Sequence, residues 1–422
     1  MKRIAAILLL FMFFPMAFSQ IAIDSIWSDE VKSVFLTRND IEMERPFIRL
    51  GELGEPTEQL MLRFDILWPQ PYNLRYRISH CNARWERDNL DPSEFISGIH
   101  EGEIENYQSS FTTLRDYINY YQPIPNAYSQ FIASGNYILE IFPSEHPDSI
   151  LITRRFCVYE DLTSIKLSID KPSGSKGDFN RDQEVSLSVT PRDGSFLPLQ
   201  ADFYRVEVQQ NRRTDLKRAM PFNSYSGNSM LYRWSVANVF PGGNCFRYFD
   251  LSNTMSAMYH IQRIEQWGGE TFAFLQPEED RSQSAYSQYS SLNGGMKINV
   301  RERQNPQIEA DYVWVNFSLP MAKPFLNGSI HIVGDITDWQ LNDASRMEWN
   351  PKYRAYTKRM LLKQGYYAYQ LLFLPTGETE GLTSTLEGDH FVMQNNYTVY
   401  VYFIQPGSRY DRLVGLNEFL RQ

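Results

Sequence analysis

The chain has 422 residues, of which 42% are hydrophobic, 14% aromatic and 22% charged, with 41 Lys and Arg against 50 Asp and Glu. This composition resembles that of folded globular proteins, so it excludes a disordered acidic protein and a coiled coil. The net charge of −9 argues against a nucleic-acid partner, because binding to phosphates needs a basic face.

The start of the chain has the features of a secretory signal peptide. Lys2 and Arg3 precede an apolar run at 4–18, and Ala17 and Ser19 have the small side chains expected before a cut. We therefore expect cleavage after Ser19, which lowers the net charge to −11. An uncleaved anchor helix is the alternative, but the run is shorter than a membrane span of about 20 residues.

Short alternating segments separated by Gly and Pro predict a mainly β protein, with tandem immunoglobulin-like or early-set β-sandwiches and short helices in loops. We expect a signal peptide at 1–19, an N-terminal β-sandwich at 20–160, a middle β-domain at 161–303 and a C-terminal immunoglobulin-like or early-set sandwich at 304–422. Residues 91–121 favour short helical turns or irregular loops. The predicted strands are 60–67, 72–78, 136–142, 165–169, 185–189, 201–209, 296–300, 312–319, 328–334, 356–362, 366–373 and 397–403.

His80 and Cys81 are adjacent at the end of a predicted strand. A Cys-His nucleophilic pair requires facing side chains, whereas neighbouring strand residues point to opposite faces. A packed thiol and a hydrogen-bonded imidazole are therefore the preferred interpretation. The chain has three cysteines, the others being Cys157 and Cys245, so at most one disulfide can form.

Asp178, Asn180, Asp182 and Glu184 place oxygen atoms at every second residue, as in a calcium-binding loop. However, the sharp turn of such a loop needs Gly where this chain has Gln183, and the twelfth position supplies no carboxylate. An Asx-rich surface turn is favoured over a weak calcium site.

No enzyme motif stands out. The six histidines have no metal-ligand spacing, and a G-x-S-x-G nucleophile motif and phosphate-binding glycine loops are absent from the sequence. Only the abundance of Asp and Glu supports the hypothesis of a hydrolase with paired carboxylates. We therefore expect a non-enzymatic protein without a cofactor or metal.

Residues 333–339 and 362–369 carry a Gly-x-x-x-x-Trp turn followed by a Lys-x-Gly-x-Tyr-x-Tyr strand. This pattern resembles glycogen-binding and early-set modules, in which an exposed Trp stacks on sugar rings. Trp339 and Lys363 are the matching positions. A glycan-binding protein of an envelope polysaccharide machine is the alternative function, although a second stacking Trp has no clear counterpart here.

Several phrases, taken in order, resemble the type IX secretion system plug proteins of the Bacteroidota, and they extend over nearly the whole mature chain. They are Phe64-Asp65, His80-Cys81-Asn82-Ala83-Arg84-Trp85, Leu90, Gly98, Ser110-Phe111-Thr112-Thr113, Tyr117, Tyr120, Ser134-Gly135-Asn136-Tyr137, Thr153-Arg154-Arg155-Phe156, Gly243-Asn244-Cys245-Phe246-Arg247-Tyr248-Phe249-Asp250, Lys363-Gln364-Gly365-Tyr366-Tyr367 and Arg409-Tyr410-Asp411-Arg412-Leu413.

This resemblance implies a periplasmic protein that docks on the inner mouth of an SprA-type outer-membrane translocon barrel. It implies closure of the pore while no substrate or shuttle protein occupies it. We expect a monomer within that complex, peripheral to the outer membrane and not spanning it. The resemblance also favours three reduced cysteines over a bridge between Cys81 and Cys157.

Aromatic and Arg residues of these phrases are candidates for the docking interface, although packing in sandwich cores is the more common role of such residues. The candidates are His80, Cys81, Trp85, Phe111, Tyr117, Tyr120, Asn244, Arg247, Asp250, Arg409 and Tyr410.

Overall fold

A computed structural model describes residues 21, 23–51, 58–174, 176–287, 292–301 and 303–421. The predicted signal peptide at 1–19 lies outside these residues. The chain is nearly all β and folds into three packed β-sandwiches, which confirms the predicted fold class. Neither of the two short α-helices among the described residues is long and apolar enough to cross a bilayer.

The first sandwich is built from twelve strands and one helical turn. In chain order they are β1 Ser25–Ile26, β2 Val31–Arg38, β3 Phe47–Arg49, β4 Leu60–Ile66, β5 Leu74–Cys81, α1 Pro92–Phe95, β6 Ile96–Gly98, β7 Glu101–Ile104, β8 Tyr107–Ser109, β9 Ile118–Ile124, β10 Ser129–Phe131, β11 Gly135–Pro143 and β12 Ile152–Tyr159. One large sheet has the order β1-β12-β11-β5-β7 with β3 beside β12, the other has the order β2-β4-β9-β8, and β6 and β10 form a small two-stranded sheet.

Alternating side chains place the core of this sandwich between its two sheets. On β4, Leu60, Leu62 and Phe64 are buried, and Ile78 and Leu139 meet them from the opposite sheet. This burial follows from the period of two in a strand, which sends every second side chain to the same face. The prediction of loops or helical turns at 91–121 was partly wrong, since this stretch also contains β6, β7 and β8.

The second sandwich begins with seven strands. They are β13 Thr163–Asp170, β14 Asp182–Pro191, β15 Tyr204–Gln210, β16 Lys217–Ala219, β17 Ser224–Ser226, β18 Ser229–Tyr232 and β19 Val239–Pro241, with 3-10 turns at Ala201–Phe203 and Val236–Asn238. β13, β14, β18 and β17 form one sheet in that order, and β19 pairs with β14.

The third sandwich is one continuous nine-stranded sheet that folds over its own core. Its elements are β20 Arg247–Asp250, β21 Ile261–Trp267, β22 Glu270–Leu275, β23 Met296–Ile298, α2 Pro306–Glu309, β24 Tyr312–Pro320, β25 Gly328–Val333, β26 Arg346–Asn350, β27 Ala355–Lys363 and β28 Gly365–Pro375, with a 3-10 turn at Asp335–Thr337. Residues of β24, such as Val315 and Phe317, pack against Tyr369 and Leu371 of β28.

The last two strands, β29 Asn396–Phe403 and β30 Arg412–Leu420, return to the second sandwich. β29 pairs with β15, with Tyr204 opposite Phe403, and the order of this sheet is β16-β15-β29-β30. The third sandwich is thus inserted between β19 and β29.

This arrangement differs from the predicted division into continuous stretches at 161–303 and 304–422. β20 to β23 precede residue 304 yet belong to the third sandwich, and β29 and β30 follow it yet belong to the second. Alternation along a strand is a local signal that identifies the strand but does not identify its partner.

Candidate functional site

A buried ion pair joins the first sandwich to the third. Nζ of Lys363, at the end of β27, lies 2.5 Å from Oδ2 of Asp65 on β4. The same carboxylate accepts hydrogen bonds of 2.6 Å from the Tyr312 hydroxyl and 2.7 Å from Nδ2 of Asn119. Both charged side chains are at most 1% exposed. Because a buried charge is costly unless it is paired and hydrogen-bonded, these contacts hold the two sandwiches in one relative orientation.

Tyr117 packs beneath this ion pair. Its ring centre lies 4.2 Å from Nζ of Lys363, and its hydroxyl donates a 2.8 Å hydrogen bond to the carbonyl of Ala310. Burial raises the pKa of the Tyr117 hydroxyl. Burial also lowers the pKa of Lys363, an effect that the carboxylate of Asp65 opposes. The aromatic face of Tyr117 therefore stabilises the buried ammonium group of Lys363 through a cation–π interaction.

A second junction joins the first sandwich to the second around His80. Nδ1 of its ring hydrogen-bonds with Asp88, and Nε2 lies 3.2 Å from the carbonyl oxygen of Ser134. The ring meets Tyr137 and Tyr410 edge-on, at centroid distances of 4.8 and 5.4 Å. The interpretation of His80 as a packed, hydrogen-bonded imidazole is confirmed.

The three cysteines, Cys81, Cys157 and Cys245, are buried free thiols. Cys81 and Cys157 both lie opposite Asn136 of β11, on the two strands that flank it. Adjacent strands are about 4.8 Å apart, so the two cysteines are separated by about 10 Å, beyond the roughly 7 Å that a disulfide can bridge. Burial raises the pKa of both thiols to about 12.

The loop after β5 contacts the chain between β29 and β30. The backbone N–H of Ala83 donates a 2.9 Å hydrogen bond to Asp411, and the Tyr402 hydroxyl donates one of 3.0 Å to Asn136. Trp85, on the same loop, is half-buried beneath the guanidinium of Arg155, which lies 5.0 Å from its ring centre. The phrases at 80–85, 134–137 and 409–413 therefore converge at this second junction.

Arg247 is the centre of a buried charge network inside the third sandwich. Its Nε donates a 2.9 Å hydrogen bond to Glu387, and its Nη1 pairs with Glu278. Arg281 also pairs with Glu387, and Nε2 of His260 lies 2.8 Å from Glu278. Burial alone would raise the pKa of Glu278, but His260 and Arg247 outweigh it and hold that pKa at about 2.

Three more predicted interface residues are buried and make internal contacts. Nδ2 of Asn244 donates a 2.7 Å hydrogen bond to the carbonyl of Glu387, and Asp250 accepts one of 2.8 Å from the backbone of Ser252. The Tyr120 hydroxyl accepts a 2.6 Å hydrogen bond from the backbone of the loop after β4. These side chains are components of the fold and are not available to a partner at the surface.

Among the predicted interface residues, Phe111 and Arg409 are exposed. The Phe111 side chain is 62% exposed, while its backbone N–H donates a 2.8 Å hydrogen bond to Ile308 of the third sandwich. Arg409 forms a surface ion pair with Glu94. Phe111 therefore presents an aromatic ring beside the junction of the first and third sandwiches.

The first sandwich matches a protein-family model over residues 31–160, described as the first domain of type 9 secretion system plug proteins. This match covers the strands β2 to β12 of the first sandwich. The match links the chain to the type 9 secretion system and to the cell envelope in which that system works.

The whole described fold resembles the crystal structure of a hypothetical protein from Parabacteroides merdae ATCC 43184. The two are 29% identical with a TM-score of 0.89, over 94% of this chain and 99% of the other. Escherichia coli alpha-2-macroglobulin and the B domain of a biofilm associated protein are 10% and 8% identical, with TM-scores of 0.16 and 0.14, too low to support an argument. Each of these two matches covers 92% of this chain. The first spans 30% of the alpha-2-macroglobulin chain, and the second spans 88% of the biofilm protein's chain. No curated protein matches.

The two residues of the glycan-binding prediction, Trp339 and Lys363, are both buried. Trp339 is 4% exposed, its Nε1 donates a 2.7 Å hydrogen bond to Asp335, and its ring packs edge-on against Phe246. Gly294 lies so close that an added Cβ would stand 2.3 Å from the indole ring. Lys363 is also buried, where it forms the ion pair with Asp65 of the first sandwich. Neither side chain is placed as a sugar-stacking platform requires.

The acidic loop at 178–184 forms the predicted Asx turn. The backbone N–H of Asn180 donates a 2.9 Å hydrogen bond to the Asp178 carboxylate, and that of Asp178 donates one of 2.8 Å to Asp182. Across the described part of the chain, no group of three or more His, Cys, Asp or Glu is placed to hold a metal ion. The carboxylates of this loop therefore serve the turn through backbone hydrogen bonds.

Sequence reasoning missed several large apolar side chains that the second sandwich exposes, namely Phe196, Leu199, Phe222, Tyr225 and Trp234. Phe222 and Tyr225 lie 4.7 Å apart, and the Tyr225 hydroxyl accepts a hydrogen bond from the 3-10 turn that follows Leu199. Phe196 is 98% exposed. Their spacing in the sequence gives no sign that these side chains are exposed.

Proposed function

We propose that this protein is a non-enzymatic periplasmic plug, which binds the inner mouth of the type 9 secretion translocon barrel in the outer membrane. It closes the pore when no substrate or shuttle protein occupies it. The observation that carries this proposal is the family match of residues 31–160, a domain that is joined to the rest of the chain through Asp65 and Lys363.

Rigidity between the sandwiches supports this role. A plug must keep its shape across a wide opening, because a body that bends at its domain junctions would leave a leak. Here the buried pair of Asp65 and Lys363 holds the first and third sandwiches together, and the contacts of Asp411 and Tyr402 hold the first and second. Several of the sequence segments that resemble the family thus lie at the junctions between the sandwiches. Other residues must therefore contact the barrel.

The exposed aromatic side chains of the second sandwich and Phe111 are the first candidates for that contact. Aromatic residues are enriched at the centres of protein interfaces, where they bury a large area at low entropic cost. Phe196 is suited to a test because it is almost fully exposed, so a charged substitution there leaves the core intact.

Three of the carboxylates that line the central cavity favour a role without catalysis. This cavity of about 580 Å³ lies where the three sandwiches meet. Asp24 pairs with Arg155, Asp335 with Arg212, and Glu207 with Lys217. Because these acids are paired with cations, they are poorly suited to act as the free acid and base of a hydrolase.

Co-purification tests the proposal. A tagged translocon barrel, extracted in mild detergent, is expected to retain the wild-type chain, and the variant Phe196→Asp is expected to reduce that retention. Leu326→Asp, at a site on the third sandwich that is 94% exposed, is the matched control. Failure to recover the wild-type chain with the barrel would overturn the proposal.

A permeability assay tests pore closure separately. Cells without the chain are expected to admit large hydrophilic dyes through the open barrel, and an unchanged permeability would contradict pore closure.

A further inference from the structure

The segment at 21–30 lies between the first and third sandwiches and is weakly buried. None of its described residues is buried, whereas β2, which follows it directly, has five buried residues of eight. Ile21, Ile23 and Trp27 are among the large apolar side chains left exposed on the surface. Such a segment can detach at a much smaller free-energy cost than unfolding of a sandwich.

The segment attaches to the edge of the first sandwich as a short added strand. β1 pairs with β12 through two residue pairs, Ser25 with Thr153 and Ile26 with Ile152. The backbone N–H of Trp27 donates a 2.9 Å hydrogen bond to the carbonyl of Leu151. Its indole Nε1 donates one of 3.2 Å to Thr153. These contacts resemble the backbone pairing by which an extended peptide adds to a sheet edge.

Asp24 supplies the charged contacts of this attachment. Its carboxylate accepts hydrogen bonds from the backbone N–H of Arg155 at 2.7 Å, and from Nε and Nη2 of the same residue at 3.0 and 2.9 Å. Its backbone carbonyl accepts a hydrogen bond from Gln340 of the third sandwich. Burial alone would raise the pKa of Asp24, but Arg155 and Arg154 outweigh it and lower that pKa.

Two cavities flank the segment. The central cavity of about 580 Å³ lies on one side, and a second of about 560 Å³ lies between the first and third sandwiches on the other. Asp24, Arg154 and Asp338 line both. If the segment left, the two cavities would join into one groove, with the free edge of β12 and the guanidinium of Arg155 on its wall.

We infer that this groove is a binding site for an extended partner peptide, which takes the place of residues 21–30 by strand exchange. The occupant is an extended segment with an aspartate at the place of Asp24, because the groove would offer unpaired β12 backbone and an arginine fork, with apolar residues such as Val34 and Met296 among its charged lining. Guanidinium groups bind carboxylates through two parallel hydrogen bonds, so Arg155 selects the acidic residue. This inference goes beyond the plug proposal and does not depend on where the protein docks.

A labelled peptide with the sequence of residues 21–30 tests the exchange. It is titrated against the mature wild-type chain and against Asp24→Asn, which weakens the attachment of the internal segment. We expect the peptide to bind the Asp24→Asn chain at least about tenfold more tightly than the wild type, because its internal competitor is weaker. A peptide with Asn in place of the aspartate is expected to bind at least about tenfold more weakly than the original.

Asp29→Asn is the matched control, because Asp29 is exposed in the same segment and its removal leaves the Arg155 pair intact. This chain is expected to bind the peptide as the wild type does. Equal binding of the two peptides, or equal affinity of the wild-type and Asp24→Asn chains, including no binding to either, would overturn the inference.

A reversible crosslink gives a second, independent measurement. Ser25 and Thr153 are direct partners in register, so the double variant S25C/T153C can hold the segment in place when oxidised. Peptide binding is expected to be lost in the oxidised form and restored by reductant. Binding that persists in the crosslinked chain would contradict strand exchange. The peptide assay contains no translocon, so a negative result in it does not contradict the plug proposal. A negative co-purification result, in turn, does not contradict the proposed peptide-binding groove.

Discussion

Nζ of Lys363 lies 2.5 Å from Oδ2 of Asp65, across the junction between the third and first sandwiches. The lysine ends β27 and the aspartate lies on β4, and both are removed from water. The carboxylate also accepts the hydroxyl of Tyr312. This buried pair of charges therefore contributes more to how the two sandwiches are oriented than a surface ion pair would, because water and salt would screen a surface pair.

The variant Asp65→Asn is expected to lower the free energy of unfolding by about 3–5 kcal/mol, because it leaves the ammonium of Lys363 buried without a counter-charge. The double variant Asp65→Asn/Lys363→Met is expected to recover a large part of this loss. Denaturant unfolding, followed by tryptophan fluorescence, measures both.

Arg263→Gln is the control, since Arg263 and Glu265 form an exposed pair on β21. Its effect is expected to stay within about 0.5 kcal/mol. If Asp65→Asn also lowers the free energy of unfolding by no more than about 0.5 kcal/mol, the buried pair does not hold the junction.

Stability is expected to fall on acidification between pH 6.5 and about 4 because of His331. Burial lowers its pKa from 6.5 to about 4, with Arg346 contributing, and its ring nitrogens lie 2.8 Å from the hydroxyls of Ser329 and Ser345. In this window the unfolded chain binds the proton and the folded chain does not, so protonation favours unfolding. The gap in pKa corresponds to about 3 kcal/mol.

Thermal unfolding of the wild type and His331→Gln at pH 7 and pH 5 checks this expectation. The variant should lose less stability between the two pH values than the wild type does. His146→Gln, at an exposed histidine, should behave as the wild type. An identical pH response of His331→Gln and the wild type would rule out this histidine as the source.

The denatured chain, unfolded without reductant, is expected to react with three equivalents of a thiol reagent. Cys81 and Cys157 are kept apart by β11, and Cys245 is in another sandwich. In the native state the reaction should be slow, because burial raises the pKa of Cys81 and Cys157 to about 12 and leaves little thiolate. A count of one thiol in the denatured chain would show that a bridge forms.

Trp339→Ala is expected to destabilise the third sandwich by about 3–5 kcal/mol, because it leaves a cavity beside Phe246 and removes the hydrogen bond to Asp335. Neither the wild type nor the variant should be retained on immobilised polysaccharides. Trp234→Ala, at an exposed tryptophan, should have a small effect on stability. Retention of the wild type that Trp339→Ala abolishes would revive the glycan-binding interpretation.

Most individual strands could be read from local patterns. The predicted strand 60–67 corresponds to β4, and 136–142, 312–319 and 366–373 fall within or match β11, β24 and β28. Alternation marks these segments because each strand has at least one face in a core. The same patterns could not tell that Trp339 turns inward, since an exposed and a buried Trp on this turn have the same neighbours in sequence.

The candidate site was less predictable. The family phrases correctly singled out residues that matter, yet their interpretation as a docking surface does not fit the burial of residues such as His80, Tyr117 and Arg247. Asp65 stood within one phrase without a role, and Tyr312 and Asp24 carried no signal. Their importance depends on partners that are distant in the chain, and one sequence contains no record of such contacts.

The order of residues along this chain therefore determines its β class, the position of most strands and its likeness to the plug family. These properties depend on local alternation, turn chemistry and short phrases. The tertiary structure decided that β29 and β30 complete the second sandwich, that Lys363 pairs with Asp65, and that β1 pairs with the edge of β12. Strand pairing and buried charges bring together residues that are far apart in the chain, so they are settled only when the whole fold is formed.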